Sequence, residues 1–319
     1  MGDAYFERQL PYALQLYVDK PEFQQGVLGA VSAFVRDGRV VKFTPIQVGE
    51  RQYLLATYSI RKEGARSAVI MTDIKSSNDD PMRINEPDRL MPASFVFAML
   101  DWICVVAPTG LRPLVKSPLL DIDILAVFEQ YVLALNSLHA LGYIHGNLDE
   151  SKFFLQQHSG IYVLWGFEHG IPRQRGIDDD LYRNQTNMPP LEMRDALVPP
   201  EGKNVAWYDV EVDWWMAGLM LAAMFYGPEV YAHATSPDPE SVDFMRRLRA
   251  GEGSTRFKNM IANLLAHEPE APSRGATRYQ PKRWGFAEVA QEIKRLHEII
   301  MQEYAEADAP GEGVRVRVL

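Results

Sequence analysis

The stretch from Ile122 to Leu164 constrains the fold more than any other. Ile124, Val127, Phe128, Tyr131, Val132, Leu135 and Leu138 recur at three- and four-residue spacing, so 122–141 predicts a helix with one apolar stripe turned to a core. Asp121 can cap its start and Gly142 suits its end. The chain then runs through His145-Gly146-Asn147-Leu148-Asp149-Glu150-Ser151-Lys152 straight into Phe153-Phe154-Leu155. With Ile161-Tyr162-Val163-Leu164, that segment predicts a hairpin around His158-Ser159-Gly160. A long buried helix therefore delivers a short polar loop to a hairpin, and such a scaffolded loop is where chemistry collects.

Four further groups follow in order. Trp165-Gly166-Phe167-Glu168 closes the hairpin. Pro199-Pro200-Glu201 ends a long polar segment, His169 to Val198, which holds Asp178-Asp179-Asp180 and the sequon Asn184-Gln185-Thr186. Asp213-Trp214-Trp215-Met216-Ala217-Gly218 opens a run to Tyr226 that is apolar all round, as a helix buried on every side must be. Arg274 follows Leu264-Leu265 and His267-Glu268-Pro269, with Arg278 as a rival position. Ala287 to Tyr304 predicts an amphipathic terminal helix.

In this order the groups resemble the large lobe of a protein kinase. His145 and Leu148 match the His and Leu of H-R-D-L-x-x-x-N, but Gly146, Asn147 and Lys152 stand where the Arg, the catalytic Asp and the metal-binding Asn belong. Aligned on Phe167, Gly166 replaces the magnesium-binding Asp of D-F-G and Glu168 replaces its Gly. Pro200 and Glu201 match A-P-E, and Asp213, Trp215 and Gly218 match D-x-W-x-x-G. Arg274 stands for the arginine that pairs with the A-P-E glutamate. The resemblance implies structural roles for this second set, with Asp213 binding the loop backbone. It implies an α+β, bilobal kinase-like fold: a β-rich small lobe over 1–110, a helical large lobe over 111–305, and a disordered tail over 306–319.

The first hundred residues follow that expectation in order more than in motif. Ala4 to Tyr17 predicts a helix, and Ala33–Val35, Val40–Val48, Gln52–Ile60 and Ser67–Ile74 predict strands, with Asp37-Gly38 as a hairpin turn. Phe95–Leu100 and Ile103–Ala107 predict a further pair. No G-x-G-x-x-G loop is present; Gly49-Glu50-Arg51 and Arg36-Asp37-Gly38-Arg39 are plain turns, as are Gly26 and Gly29. The strand lysine of V-A-I-K overlays on Ile70, and Lys75 lies beyond it as a surface lysine. The helix that should carry that lysine's glutamate falls in 76–92, rich in Asn, Asp and Pro, so it is short or lost and Glu86 is a loop carboxylate. Gly110 to Leu120 crosses between the lobes.

Composition narrows the partners. The 319 residues carry a net charge of −9, with 47% hydrophobic and 24% charged residues, as expected of a soluble protein. Acidity argues against nucleic acid or an anionic membrane as the main partner, although Arg246-Arg247-Leu248-Arg249 is a local basic patch. No transmembrane segment is expected: Val212–Tyr226 is too short and contains Asp213. Cys104, the single cysteine, reads as a buried strand thiol. Met1-Gly2-Asp3 is too polar for a signal peptide, and Phe6 breaks the myristoylation pattern.

Within kinases, His-Gly-Asn and Gly-Phe-Glu-His look like the rhoptry-type family of apicomplexan parasites, and the missing loop resembles its "with-no-Gly-loop" branch. That implies secretion to a parasitophorous vacuole or cyst wall. It implies a pseudokinase with no catalytic, cofactor-binding or metal-binding residues, no bound ATP or magnesium, and other proteins as partners. Two rivals remain open: an atypical kinase using the displaced acids Asp149, Glu150 or Glu168, and a nucleotide-sensing switch without turnover. Lys152 is then a surrogate cation for phosphate, a lysine filling the emptied cleft beside Glu168 or Asp149, or an exposed residue.

Overall fold

The computed structural model describes residues 2–18, 26–39, 41, 43–80, 89–113, 120–173, 210–253, 255–266 and 283–307. Its N-terminal part is a sheet with helices. α1 (Gly2–Val18) and α2 (Leu28–Arg36) precede β1 (Thr44–Val48) and β2 (Arg51–Tyr58). α3 (Arg61–Asn78) follows, then β3 (Phe95–Met99) and β4 (Trp102–Pro108). The four strands are antiparallel in the order β1-β2-β4-β3, with Tyr58 opposite Ile103 and Phe97 opposite Cys104. Cys104 is fully buried at the centre.

Two expected strands are helices. Ala33–Val35 lies in α2, where Val31 and Val35 bury one face, and Asp37-Gly38 ends that helix instead of turning a hairpin. Gly38 has φ +63, the left-handed conformation a helix terminus requires. Ser67–Ile74, including Ile70, lies in α3, so the placement of Ile70 on a strand is corrected. Residues 64–72 of α3 are all buried, and a run buried on every face shows neither the period of two nor that of 3.6. Over 76–92, where a helix is expected to be short or lost, α3 reaches Asn78, and residues 81–88 lie outside the described residues. Gly64 allows it close to the sheet: a Cβ there would sit 2.6 Å from Ile103 Cβ. Lys75, in its last turn, pairs with Asp79 at 3.0 Å.

A second group of elements follows. β5 (Leu111–Pro113), β7 (Phe153–Gln156) and β8 (Ile161–Leu164) form one small sheet, and β6 (Tyr143–Ile144) pairs with β9 (Ile171–Pro172). α4 (Asp121–Ala140) carries the expected stripe, with Ile124, Phe128, Tyr131 and Leu135 buried. Its start differs from expectation. Leu120 occupies the cap position and donates its N–H to Asp123, while Asp121 pairs with Arg256 at 2.6 Å. α5 (Glu211–Tyr226) is buried on all sides from Val212 to Ala222. α6 (Glu229–Thr235) and α8 (Lys258–Leu264) pack on it, α7 (Pro239–Arg249) packs on those two helices, and α9 (Phe286–Ala307) lies on α4, with Val289, Ile293, Leu296 and Ile300 buried. The whole is a mixed α+β architecture compatible with a kinase-like fold. Among the described residues, no helix is long and apolar enough to cross a membrane.

Candidate functional site

The polar loop after α4 is held from below by one carboxylate. Asp213, in the first turn of α5 and fully buried, accepts the backbone N–H groups of His145 and Gly146 at 2.8 Å each. His139, on the last turn of α4, reaches the same carboxylate at 2.8 Å. Three hydrogen bonds on one buried carboxylate fix the end of α4, the loop and the start of α5 together. Gly146 takes φ +76 within this turn. Trp215 is buried, and Gly218 lets α5 touch α8: a Cβ there would meet Leu264 Cβ at 2.7 Å.

His145 is fully buried. Its Nε2 lies 2.8 Å from the Trp165 carbonyl, its Nδ1 accepts the Asn147 N–H at 3.3 Å, and its ring centroid is 5.5 Å from that of Phe167. Burial lowers its pKa, outweighing the attraction of Asp213. It is therefore a neutral imidazole that ties the loop to the hairpin.

Lys152 ends a short turn, Glu150–Lys152, capped by Asp149 through the Ser151 N–H at 2.7 Å. Its chain runs inward. Nζ lies 2.9 Å from Glu168 Oε1 and 5.1 Å from the Trp165 ring. Its stem lies against Gly166, where a Cβ would come within 2.6 Å of Lys152 Cδ. Gly166 itself has φ +87. Lys152 thus occupies the space a side chain at 166 would need.

Glu168 is 1% exposed, and its carbonyl accepts from Arg66 on α3 at 3.2 Å. β2 is the strand that leads into α3, and its last residue, Tyr58, is buried beside Ser67. Burial, and then the charge of Glu168, push the Tyr58 hydroxyl far above its usual range. Ile70 packs against Gly170, where a Cβ would collide with it. The site is thus a buried cluster in which Arg66 and Lys152 approach Glu168 from two sides, with Tyr58, His145 and His169 around it.

The structure brings together Ile70, His145, Asn147, Lys152, Gly166, Phe167, Glu168 and Asp213. Pro200, Glu201, Arg274 and Arg278 lie outside the described residues, as do Asn184 and Glu86. Arg66, Tyr58, His139 and Arg283 escaped the sequence reading. Arg283 is 5% exposed and donates to the carbonyls of Glu211 and Ala266 at 3.0 and 2.8 Å, tying the start of α5 to the end of α8. Arg66 left one trace in the sequence, a charge two residues before the apolar run Ala68 to Met71. Among the described residues, no three His, Cys, Asp or Glu side chains converge as metal ligands.

The comparisons place the chain at a distance from the protein kinases, consistent with a kinase-like protein. It is 22% identical over 147 residues to human Citron Rho-interacting kinase, covering 44% of this chain and 7% of that protein. It is 25% identical over 151 residues to the rat interferon-induced, double-stranded RNA-activated protein kinase, covering 46% of this chain and 26% of that protein. The chain therefore spans only a small part of the length of either relative. No family model matches it.

Proposed function

We propose that this kinase-like protein is catalytically inactive and works by binding other proteins, as a scaffold or regulator. The observation that carries this reading is the buried Lys152–Glu168 pair packed on Gly166. Phosphoryl transfer needs a metal clamp on the phosphates and an oriented hydroxyl. At the aligned positions Gly166 has no side chain to ligate, and the Lys152 ammonium would repel a divalent ion. Asn147, in the place of the base, cannot take a proton as a carboxylate does, and a positioned base alone contributes roughly 10²–10⁴-fold. These residues do not fit a magnesium–nucleotide complex. The resemblance to the rhoptry-type "with-no-Gly-loop" branch, and within it to bradyzoite pseudokinase, supports secretion to a vacuole or cyst wall as the setting.

A thermal-shift titration with ATP, with and without magnesium, together with a labelled phosphate-transfer assay, tests this. No shift at millimolar nucleotide and no transfer are expected. Magnesium-dependent transfer that disappears in Asp149→Asn, Glu150→Gln or Glu168→Gln would establish an atypical kinase instead. A shift without transfer would establish a nucleotide sensor. Immunolocalisation of the tagged protein tests the setting, and a cytosolic signal would remove it.

A further inference from the structure

The turn that sends Lys152 to Glu168 also carries two acids, Asp149 and Glu150, both half-buried, with Ser151 exposed beside them. Asp149 accepts the Ser151 N–H within its own turn, and among the described residues no basic side chain pairs with it. Two tyrosines approach these acids from separate helices. Tyr131, on α4, is fully buried, with its ring edge-on to Phe153 at 5.3 Å and stacked on Phe128 at 6.1 Å. Packing therefore fixes where its hydroxyl points. That hydroxyl lies near the charges of Asp213 and Asp149 and has no hydrogen-bond partner. Asp213 is already engaged by His139 and two backbone N–H groups. Tyr231, on α6, is half-buried, and its hydroxyl sits beside Glu150, close to Tyr131 and Asp149. Burial first, and then the carboxylate charges, hold both hydroxyls well above the usual tyrosine range, so both stay neutral. A buried hydroxyl without a partner is costly to leave so.

We propose that Asp149, Glu150, Tyr131 and Tyr231 form a recognition site for a cationic side chain, arginine or lysine, of a partner protein. The cluster is rich in acceptors and negative in charge, so its ligand must bring a positive charge and several N–H donors together. A guanidinium carries five and an ammonium three. A divalent metal ion suits the cluster less well. Neutral phenol oxygens are weak ligands beside carboxylates, and among the described residues no three His, Cys, Asp or Glu side chains converge. The half-buried acids next to exposed Ser151 leave the site open from the solvent side of the turn. The net charge of −9 on the whole chain favours a basic partner at such a site. The inference rests on the protein-binding reading above and names the chemistry of the partner. Phosphate transfer in the assay above would remove that reading and leave the binding test below intact.

The full chain, isotope-labelled at the tyrosine Cζ atoms, is titrated with N-acetyl-arginine amide, N-acetyl-lysine amide and the neutral isostere N-acetyl-citrulline amide. The resonances of Tyr131 and Tyr231, assigned from Tyr131→Phe and Tyr231→Phe, should shift saturably with the two cations and stay put with citrulline. Asp149→Asn with Glu150→Gln should weaken that binding about tenfold or more; both changes keep side-chain shape, and the amide oxygen at 149 can still accept the Ser151 N–H. A peptide Gly-Ser-Arg-Ser-Gly should bind at least as tightly as the free arginine amide. Binding of the free amide with exclusion of the peptide overturns a partner protein as the source. Shifts as large with citrulline, or no shift with any probe, overturn the site, because an amide crevice or an already satisfied cluster explains them. Unchanged affinity in the double variant overturns it as well. Should that variant fail to fold, Tyr131→Phe decides: a several-fold loss of arginine amide affinity supports the site, and an unchanged affinity rejects it.

Discussion

Lys152 Nζ and Glu168 Oε1 are 2.9 Å apart, and neither side chain is more than 8% exposed. At an effective dielectric constant near 20, two unit charges 4 Å apart attract by about 4 kcal/mol, while removing each ion from water costs several. The intact pair therefore adds little net stability. Its consequence is geometric: it joins the turn after the loop to the segment after the hairpin, and Arg66 extends that tie to α3.

Removing one partner is costly where removing both is not. Lys152→Met removes the ammonium that faces the buried Glu168 carboxylate and should lower the unfolding free energy by about 3–5 kcal/mol. Lys152→Met with Glu168→Leu should recover much of that loss. Urea denaturation of the four proteins of this cycle measures the coupling; additive losses would show that the pair is not a unit.

Asp213 accepts three hydrogen bonds in a dry site. Asp213→Ala orphans the N–H groups of His145 and Gly146, at about 1–3 kcal/mol each. Asp213→Asn keeps one acceptor and should fall between wild type and alanine. Denaturation midpoints give the order, and the amide resonance of Gly146 should shift most.

Gly166 and Gly160 both have positive φ, but only Gly166 has a neighbour where a Cβ would go. Gly160→Ala should cost about 1–2 kcal/mol for the left-handed backbone alone. Gly166→Ala adds the contact with Lys152 and should cost more. Equal losses in thermal unfolding would mean that the Lys152 stem moves aside freely.

Acid should weaken the protein through His145 and the partly buried His169. Burial lowers the His169 pKa from 6.5 to about 4 and lowers that of His145 as well. The unfolded chain then binds more protons between those values, so stability falls as pH drops from about 6.5 towards 4. Burial raises the pKa of Asp73, which acts in the opposite sense: its contribution is present below 3.8 and lost as pH rises through the raised value. His169→Gln should flatten the acid loss and Asp73→Asn should steepen it, as read from unfolding free energies across that range.

Elements with one wet face were legible in the sequence. α4 and α9 show their stripes, and the β7–β8 and β3–β4 hairpins show their turns. α2 and α3 were not. In α3 both faces are dry, because α1, β4 and the Phe167–His169 turn surround it, and periodicity vanishes where nothing faces water. The loop residues 145–152 and the group 165–168 were singled out by resemblance, but Arg66 and Tyr58 carry no pattern that links them to Glu168. They lie about a hundred residues away in the chain.

By itself the sequence determined the order of elements around the loop, the burial of α5 and the residue types available near Gly166, because short-range periodicity and side-chain chemistry are local properties. Only the tertiary structure decided that Lys152 turns inward to Glu168, that Arg66 meets the same segment from α3, and that α1 covers the edge of the sheet. Each of those depends on which distant surfaces exclude water together, and no local pattern encodes that choice.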